Sequence, residues 1–187
     1  MDGLAGRELT APQDPNAYTS VMSPQTTEFR ALVADPSTHM AGLVTLMLHS
    51  LKVRAVDEAS DIQHAAQFIA YRPYSLVLLD AQLGGEEDYV MIRRLRQTEG
   101  HLNRNVPIIM MASTPSASMI ENARDAGVNE FLRKPFSAQH IQLRIEAMRK
   151  SPREFVTVGD YAGPDRRRRE TAGAPERRAA DAHKRSA

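Results

Sequence analysis

Short apolar runs alternate with amphipathic segments in a regular order between residues 28 and 150. The runs LVLL and PIIMM are apolar at consecutive positions, a pattern typical of central parallel strands buried on both faces. Ser60 with Gln63 is a capping box for the second helix, and Ser137 caps the last helix. The pattern predicts strands at 31–34, 53–56, 75–79, 107–112 and 130–133, and helices at about 37–51, 60–71, 87–98, 116–126 and 137–149.

Strand and helix alternating five times predicts an α/β fold, a five-stranded parallel sheet that is doubly wound, with helices on both faces. The flanking segments lack this order. Residues 1–27 are rich in proline and small polar residues and are expected to form a disordered leader. Residues 151–187 are rich in Arg, Ala, Gly and Pro and are expected to form a mostly disordered tail. The folded domain is therefore expected to span residues 28–150.

Composition narrows the function classes. The 187 residues include no cysteine, which excludes a disulfide framework, a thiolate zinc site and a thiol nucleophile. No apolar run approaches the roughly 18–20 residues that cross a bilayer, and no hydrophobic leader is present, so we expect a protein of the cytoplasm. The six histidines show no zinc or catalytic-triad spacing. With no group poised for turnover on a released substrate, we do not expect an enzyme.

Ionisable residues stand where three predicted strands end. Asp35 follows the first strand, Asp80 ends the third, and Lys134 follows the fifth. The carboxyl ends of parallel strands meet at one edge of a sheet, so these side chains are expected to converge. Two carboxylates and an ammonium suit a Mg²⁺ ion and a phosphoryl group. The alternative interpretation treats the acids as turn residues and the lysine as a surface group.

Five segments in matched order, ALVADPS, YSLVLLDAQL, MIRRLR, VPIIMMAS and DAGVNEFLRKPF, resemble the receiver domain of bacterial two-component response regulators, the CheY-like family. The resemblance covers nearly all of residues 28–150 and implies the flavodoxin-like fold of that family. It implies that Asp80 is the phosphoacceptor and that Lys134 is the phosphate partner. It also implies a Mg²⁺ site formed by Asp35, Asp80 and the backbone carbonyl of Gln82.

The sequence departs from the receiver pattern at positions that would bind Mg²⁺ or contact the phosphoryl group. Only one acid follows the first strand, because Ala34 stands at the other acidic position, and this should weaken Mg²⁺ binding. Ala112 stands where receivers carry the switch hydroxyl, unless Ser113 supplies it at the phosphate site, and the aromatic partner is Phe131. The loop after Asp80 reads LGGEED, whose negative charge would oppose a phosphate. We therefore expect a weakened or lost phosphorylation switch.

An arginine run follows a Tyr-Ala-Gly-Pro-Asp lead-in near the carboxyl end. Residues 151–187 hold nine Lys or Arg against six Asp or Glu, so the basic surplus lies here. Guanidinium groups donate in pairs to guanine O6 and N7, stack on purines and bind phosphate. Asp165 would accept from guanine N1 and N2, and Tyr161 would stack. The residues expected to bind a nucleotide are Tyr161, Gly163, Asp165, Arg166, Arg167, Arg168, Arg169, Arg177 and Arg178.

A receiver followed by this tail resembles the CheY-like cyclic-di-GMP effectors of alphaproteobacteria, the Cle proteins. The resemblance implies that the tail binds cyclic di-GMP and that the receiver docks on a partner such as the flagellar motor switch, with recruitment to the flagellated pole. A solvated basic tail without specificity is the plainer interpretation. The other function left open is a stand-alone phosphoacceptor in a histidine-kinase relay, phosphorylated on Asp80. No specific DNA binding is expected.

Overall fold

A computed structural model of the chain describes residues 29–167. Strands and helices alternate five times, and a short pair of strands follows the last helix. In chain order the elements are β1 (Arg30–Ala34), α1 (Thr38–Ser50), β2 (Ala55–Ala59), α2 (Ile62–Tyr71), β3 (Leu76–Asp80), α3 (Glu86–Gln97), β4 (Ile108–Ala112), α4 (Ala117–Ala126), β5 (Glu130–Arg133), α5 (Ala138–Lys150), β6 (Phe155–Val158) and β7 (Tyr161–Pro164).

The first five strands form one parallel sheet in the order β2-β1-β3-β4-β5. Every residue of β3 and β4 is buried, as the unbroken apolar runs predicted. The direction of winding changes between β1 and β3, so a crevice opens beyond the carboxyl ends of these two strands. The predicted fold class, a doubly wound five-stranded parallel sheet with helices on both faces, is confirmed.

The core lies in two layers because successive strand residues face opposite sides of the sheet. Leu32, Val77 and Met110 face helices α2, α3 and α4. Val33 and Leu78 face helices α1 and α5, whose buried side chains include those of Val44, Leu48 and Ile141. Burying each large aliphatic side chain contributes about 1.5–3 kcal/mol, so these two layers account for the main stabilisation of the sheet.

Two local predictions in the edge region of the sheet are wrong. Strand β2 starts at Ala55 rather than at residue 53, because the Val53 amide closes the end of α1 by donating to the Leu48 carbonyl at 3.0 Å. Helix α2 is capped by Asp61, whose Oδ1 accepts from the His64 amide at 2.8 Å. The expected capping box of Ser60 and Gln63 therefore starts one residue too early.

The cap of the last helix is confirmed at Ser137, although His140 rather than Glu or Gln completes the capping box. The Ser137 amide donates to His140 Nδ1 at 3.1 Å, so the imidazole occupies the place that Glu or Gln takes in the usual capping box.

Residues 155–164 form an antiparallel hairpin, where the sequence analysis expected a mostly disordered tail. The second strand packs against α3 and α4, and Ala162 is buried there. A hydrogen bond of 2.8 Å from Gln97 Nε2 to the Asp160 carbonyl ties the hairpin turn to α3. The Arg104 guanidinium lies 4.8 Å from the centre of the Phe155 ring. Contacts to the five-stranded domain therefore order this segment, which is too short to be stable alone.

None of the helices within residues 29–167 has both the length and the hydropathy that crossing a bilayer requires.

Candidate functional site

The crevice between β1 and β3 brings together the three residues that the sequence predicted. Asp35 follows β1 directly, Asp80 is the last residue of β3, and Lys134 follows β5. Both carboxyl groups are almost fully buried, with relative exposures of 1% and 4%. The register of the sheet places Ala34 beside Leu79, so the two acids leave neighbouring strands at the same level.

Lys134 forms ion pairs with both acids. Its Nζ lies 2.5 Å from Asp35 Oδ2 and 2.6 Å from Asp80 Oδ2. Burial by itself would lower the pKa of Lys134, but hydrogen bonds and attraction from the two carboxylates outweigh that effect, and the pKa is raised. The ammonium therefore stays charged and neutralises part of the negative charge of the crevice.

The other oxygen of each carboxylate is fixed by the backbone two residues further along. The Ser37 amide donates to Asp35 Oδ1 at 2.9 Å, and the Gln82 amide donates to Asp80 Oδ1 at 2.8 Å. Such turns are favoured by aspartate because its short side chain reaches its own backbone. Each acid therefore presents one oxygen to the lysine and holds the other against a loop.

The donor set of the crevice fits a Mg²⁺ ion. Hard oxygen ligands from one or two carboxylates, completed by water and phosphate, are what this cation takes in proteins. Asp35, Asp80 and the Gln82 carbonyl would hold it, and the bound ion would neutralise phosphoryl oxygens during transfer. Across the described part of the chain, no three His, Asp or Glu side chains lie close enough together to form a metal-binding group. In the crevice itself, Ala34 supplies no carboxylate.

The predicted switch residues lie on β4 and β5. Ala112 ends β4, and its carbonyl accepts from the Lys134 amide at 2.8 Å. Ser113 follows as an exposed residue, and within residues 29–167 no hydrogen bond joins its hydroxyl to Asp80 or Lys134. Phe131 packs against the core beneath α4. The role of Ser113 at the phosphate site stays a prediction.

Asp88 is a buried acid whose burial the sequence analysis did not foresee. Its side chain is fully buried at the start of α3, below the Gly84–Gly85 loop. Oδ2 accepts from the Gly84 amide at 3.1 Å, whereas Oδ1 has no partner among the described residues. Burial raises the pKa of Asp88 to about 6. A signal existed in the sequence, because Asp88 precedes the buried Ile92 by four residues and so shares its side of the helix.

The start of the arginine run lies on the hairpin, beside helix α4. The Arg166 guanidinium lies 3.8 Å from the centre of the Tyr161 ring. Its Nη1 also lies 3.1 Å from Asp125 Oδ1, near the end of α4. Asp165 accepts from the Arg167 amide at 2.9 Å, which forms a turn of the kind that aspartate favours.

Tyr161 is held in place by its own strand. Its hydroxyl donates to the Pro164 carbonyl at 2.5 Å. Burial raises the pKa of Tyr161, an effect that the nearby charges of Arg166, Arg96 and Arg153 partly offset. Gly163 is buried against Gly127, where an added Cβ would lie 3.1 Å from the Gly127 Cα. Its place here is one of close packing, and its assignment to a nucleotide site stays a prediction.

The two predicted sites lie at opposite ends of the sheet. Asp80 and Lys134 mark the carboxyl ends of the strands, whereas α4 returns to the start of β5 and carries Asp125 to the other end. A strand of four or five residues spans roughly 13–17 Å, so at least that distance separates the sites along the strands. Four residues of the predicted nucleotide site, Arg168, Arg169, Arg177 and Arg178, lie outside the described residues.

The curated relatives include transcriptional regulators and chemotaxis proteins. Transcriptional regulatory protein ResD of Bacillus subtilis is 27% identical over 124 residues, which cover 66% of this chain and 49% of ResD. Chemotaxis protein CheY of Pseudomonas aeruginosa is 25% identical over 117 residues, covering 63% of this chain and 93% of that protein. The chain thus spans about half the length of ResD, and nearly the full length of this CheY.

Solved structures of receiver domains share the architecture. The receiver domain of the sensor histidine kinase PA1611 from Pseudomonas aeruginosa, which has a magnesium ion coordinated in its active site cleft, superposes with a TM-score of 0.57 at 26% identity. The superposition covers 66% of this chain and 99% of the PA1611 receiver domain. A response regulator from Thermotoga maritima gives a TM-score of 0.56 at 22% identity, with coverages of 66% and 99%, and supports the fold alone.

The family match rests on the same segment that forms the sheet and the acidic crevice. Residues 31–146 match the family described as the response regulator receiver domain. That range is more than half of the chain and contains Asp35, Asp80 and Lys134. The chain therefore belongs to the response regulator receiver domain family.

Proposed function

We propose that this protein is a signal-transduction adaptor in which a receiver with a weakened phosphorylation switch carries a ligand-binding tail. The tail binds cyclic di-GMP, and the liganded protein docks on a protein partner such as the flagellar motor switch. The observation that carries the proposal is the stack of Arg166 on Tyr161 at the end of the hairpin. It supports a site for a ligand that bears both a purine and a phosphate.

The tail offers chemistry for each part of such a ligand. Arg166 and Arg167 follow Asp165 directly in the chain, and all three residues have exposed surface. Guanidinium groups suit phosphate and the O6 and N7 edge of guanine, and a carboxylate suits the N1 and N2 edge. Because the hairpin fixes where the arginine run begins, binding requires less ordering than a free tail would.

The acidic crevice supports the second part of the proposal, a weakened switch. Ala34 removes one oxygen donor for Mg²⁺, and Ala112 removes the hydroxyl expected to contact a phosphoryl group. Lys134 already holds both remaining acids within 2.6 Å. A Mg²⁺ ion must compete with this ammonium for the same carboxylate oxygens, so metal binding and phosphorylation are expected to be weak.

Calorimetric titration of the full chain with cyclic di-GMP tests the ligand. We expect saturable binding by the wild type and loss of at least tenfold in affinity for Arg166→Ala/Arg167→Ala. The matched control is Arg54→Ala/Arg149→Ala, which removes the same charge from two exposed arginines of the receiver and should change the affinity little. A wild type that shows no saturable binding removes the proposed ligand.

A stand-alone phosphoacceptor in a histidine-kinase relay is the second candidate, favoured by the buried pair of Asp35 and Asp80 beside Lys134. An Asp80 carboxylate oxygen would attack the phosphorus of a phosphohistidine or acyl phosphate. The bond from phosphorus to the donor atom would break, and the phosphoryl group would stay on Asp80 as an acyl phosphate.

An Asp80→Ala variant separates the two functions. Retained partner binding and retained recruitment of a fluorescent fusion to the flagellated pole favour the adaptor, and their loss favours the relay. Incubation of the wild type with acetyl phosphate and Mg²⁺ gives the complementary result. Efficient phosphorylation of Asp80 with a shift of helix α4 would contradict the weakened switch.

A further inference from the structure

Arg166 is held by two groups that belong to different parts of the fold. One is the ring of Tyr161 on β7, and the other is the carboxylate of Asp125 on α4. Both side chains of the ion pair keep more than two fifths of their surface, so an incoming ligand can reach the pair. Arg166, the first arginine of the run, therefore already has an ion-pair partner in the receiver, the carboxylate of Asp125.

The ring that supports Arg166 belongs to a strand that packs on the receiver. The Tyr161 hydroxyl is bonded to the Pro164 carbonyl, and the neighbouring Ala162 is buried between the hairpin and the helices. Strand β7 contacts both α3 and α4. When Arg166 exchanges its partner, the charge at the carboxyl-terminal end of α4 therefore changes.

Helix α4 can lose this ion pair without leaving its acid alone. Asp125 Oδ1 also lies 3.5 Å from Arg124 Nε, so a cation remains beside the carboxylate after Arg166 leaves. Arg166 in turn gains more from a phosphate than from Asp125, because phosphate offers several charged oxygens to the guanidinium fork. Exchange of the carboxylate for a phosphate is therefore favourable for Arg166, and it costs Asp125 little because Arg124 remains beside it.

We propose that Asp125 is an internal competitor for the ligand, and that a phosphate of cyclic di-GMP replaces its carboxylate as the partner of Arg166. This inference rests on the proposed function and adds how the bound ligand is reported to the receiver. Release of Arg166 leaves an acidic Asp125 exposed at the end of α4, and this change of surface charge is available to a docking partner.

The size of the effect follows from the exposure of the pair. Exposed ion pairs contribute little, so removing the competitor is expected to tighten binding by two- to fivefold. If Asp125 instead acted mainly by orienting Arg166 for the ligand, its removal would weaken binding. The sign of the change therefore distinguishes competition from positioning.

Titration of the full chain with cyclic di-GMP, comparing wild type with Asp125→Asn, provides the test. The matched control is Glu121→Gln, an exposed acid one turn earlier on α4 for which the described residues show no ion pair. We expect Asp125→Asn to bind two- to fivefold more tightly and Glu121→Gln to stay within a factor of 1.5. In amide NMR spectra of the wild type, the ligand should shift the signals of residues 124–127.

The outcomes separate the inference from the function on which it rests. Wild-type binding with an unchanged or weaker Asp125→Asn variant overturns the competition and leaves the ligand intact. Equal tightening by Asp125→Asn and Glu121→Gln also overturns it, because general charge would then explain the effect. Absence of any wild-type binding overturns the proposed ligand itself, together with the inference.

Discussion

At the scale of single residues, the acidic crevice depends on one cation. Lys134 is the amine within 2.6 Å of both Asp35 and Asp80, whose carboxyl groups have almost no contact with solvent. Removing one member of a buried ion pair leaves an uncompensated charge, which costs more than the pair contributes. If Lys134 is replaced by an uncharged residue, the carboxylates of Asp35 and Asp80 lie close together without the cation that now separates them.

Lys134→Met should therefore lower the free energy of unfolding by about 3 kcal/mol at pH 7, measured by urea denaturation. A second substitution, Asp35→Asn in the same chain, should restore part of the loss because it removes one of the two repelling charges. The control is Lys150→Met, whose exposed pair with Glu146 at 3.8 Å contributes at most a few tenths of a kcal/mol. Equal effects of the two lysine substitutions would contradict this account.

Asp88 should lower the stability of the fold as the pH rises, whereas an acid held in an ion pair has the opposite effect. Burial raises its pKa from 3.8 to about 6, so the neutral form is favoured in the folded state. Its contribution to stability is complete below the unfolded pKa and is lost as the pH rises through 6. Above that pH the folded chain holds a buried carboxylate with one oxygen unpartnered among the described residues.

The stability of Asp88→Asn relative to wild type should therefore increase by roughly 2–3 kcal/mol between pH 4 and pH 8. Urea denaturation at several pH values measures it. Glu87→Gln, at an exposed position of the same helix turn, should show a nearly constant difference over that range. A constant difference for Asp88→Asn as well would mean that folding does not raise the pKa of this carboxyl group.

At the scale of elements, the hairpin stays in place through contacts of two glycines. Gly127 ends α4 in the left-handed conformation, at φ +102°, and its carbonyl accepts from Arg96 Nε at 3.1 Å. Gly163 lies against it on β7. A Cβ added at Gly163 would lie 2.7 Å from the Tyr161 hydroxyl oxygen, which is closer than real contacts allow. The close approach of the two backbones therefore requires glycine at this position.

Gly163→Ala should displace the hairpin, because either Tyr161 or the strand must move to make room. We expect a loss of about 1–3 kcal/mol in the free energy of unfolding. Faster hydrogen exchange of the amides of residues 155–164 should accompany it. As a control, Gly42→Ala within α1 meets no atom within 4 Å and should be neutral or stabilising. Unchanged exchange in Gly163→Ala would show that the contact does not hold the hairpin.

At the scale of the whole molecule, the acidic crevice and the first arginine of the run, Arg166, lie at opposite ends of one sheet. No ion pair or hydrogen bond among the described residues joins Asp80 directly to Tyr161 or Arg166. Helix α4 lies between them, with its start near the end of β4 and its last residues beside Arg166. The two ends are therefore expected to bind their ligands independently.

Asp80→Ala should leave the affinity for cyclic di-GMP within twofold of the wild-type value, measured by calorimetric titration. It removes a charge that is at least roughly 13 Å away along the strands, a distance over which solvent and salt screen the interaction. Asp165→Ala is the comparison at the other end, and it should weaken binding because it removes an acceptor for guanine. A large effect of Asp80→Ala would show that the two ends are coupled.

The sequence alone determined the elements whose pattern is strong. The runs at β3 and β4 are apolar throughout, so their burial and the parallel sheet followed from the period of the chain. The placement of Asp35, Asp80 and Lys134 in one crevice followed from the same reasoning, because parallel strands end at one edge. Strand β2 was misplaced because an edge strand that carries Asp57 and Glu58 has a weak apolar signal.

The hairpin after helix α5 and the burial of Asp88 beneath the loop after Asp80 depend on packing in the folded chain. The hairpin pairs four residues with four and is ordered by long-range contacts with α3, α4 and Gly127, which no local pattern specifies. Asp88 is polar by type, yet packing closes around it and raises its pKa. The pairing of Arg166 with Asp125 joins residues 41 positions apart. These features depend on which surfaces meet, and that is settled by the packing of the folded chain.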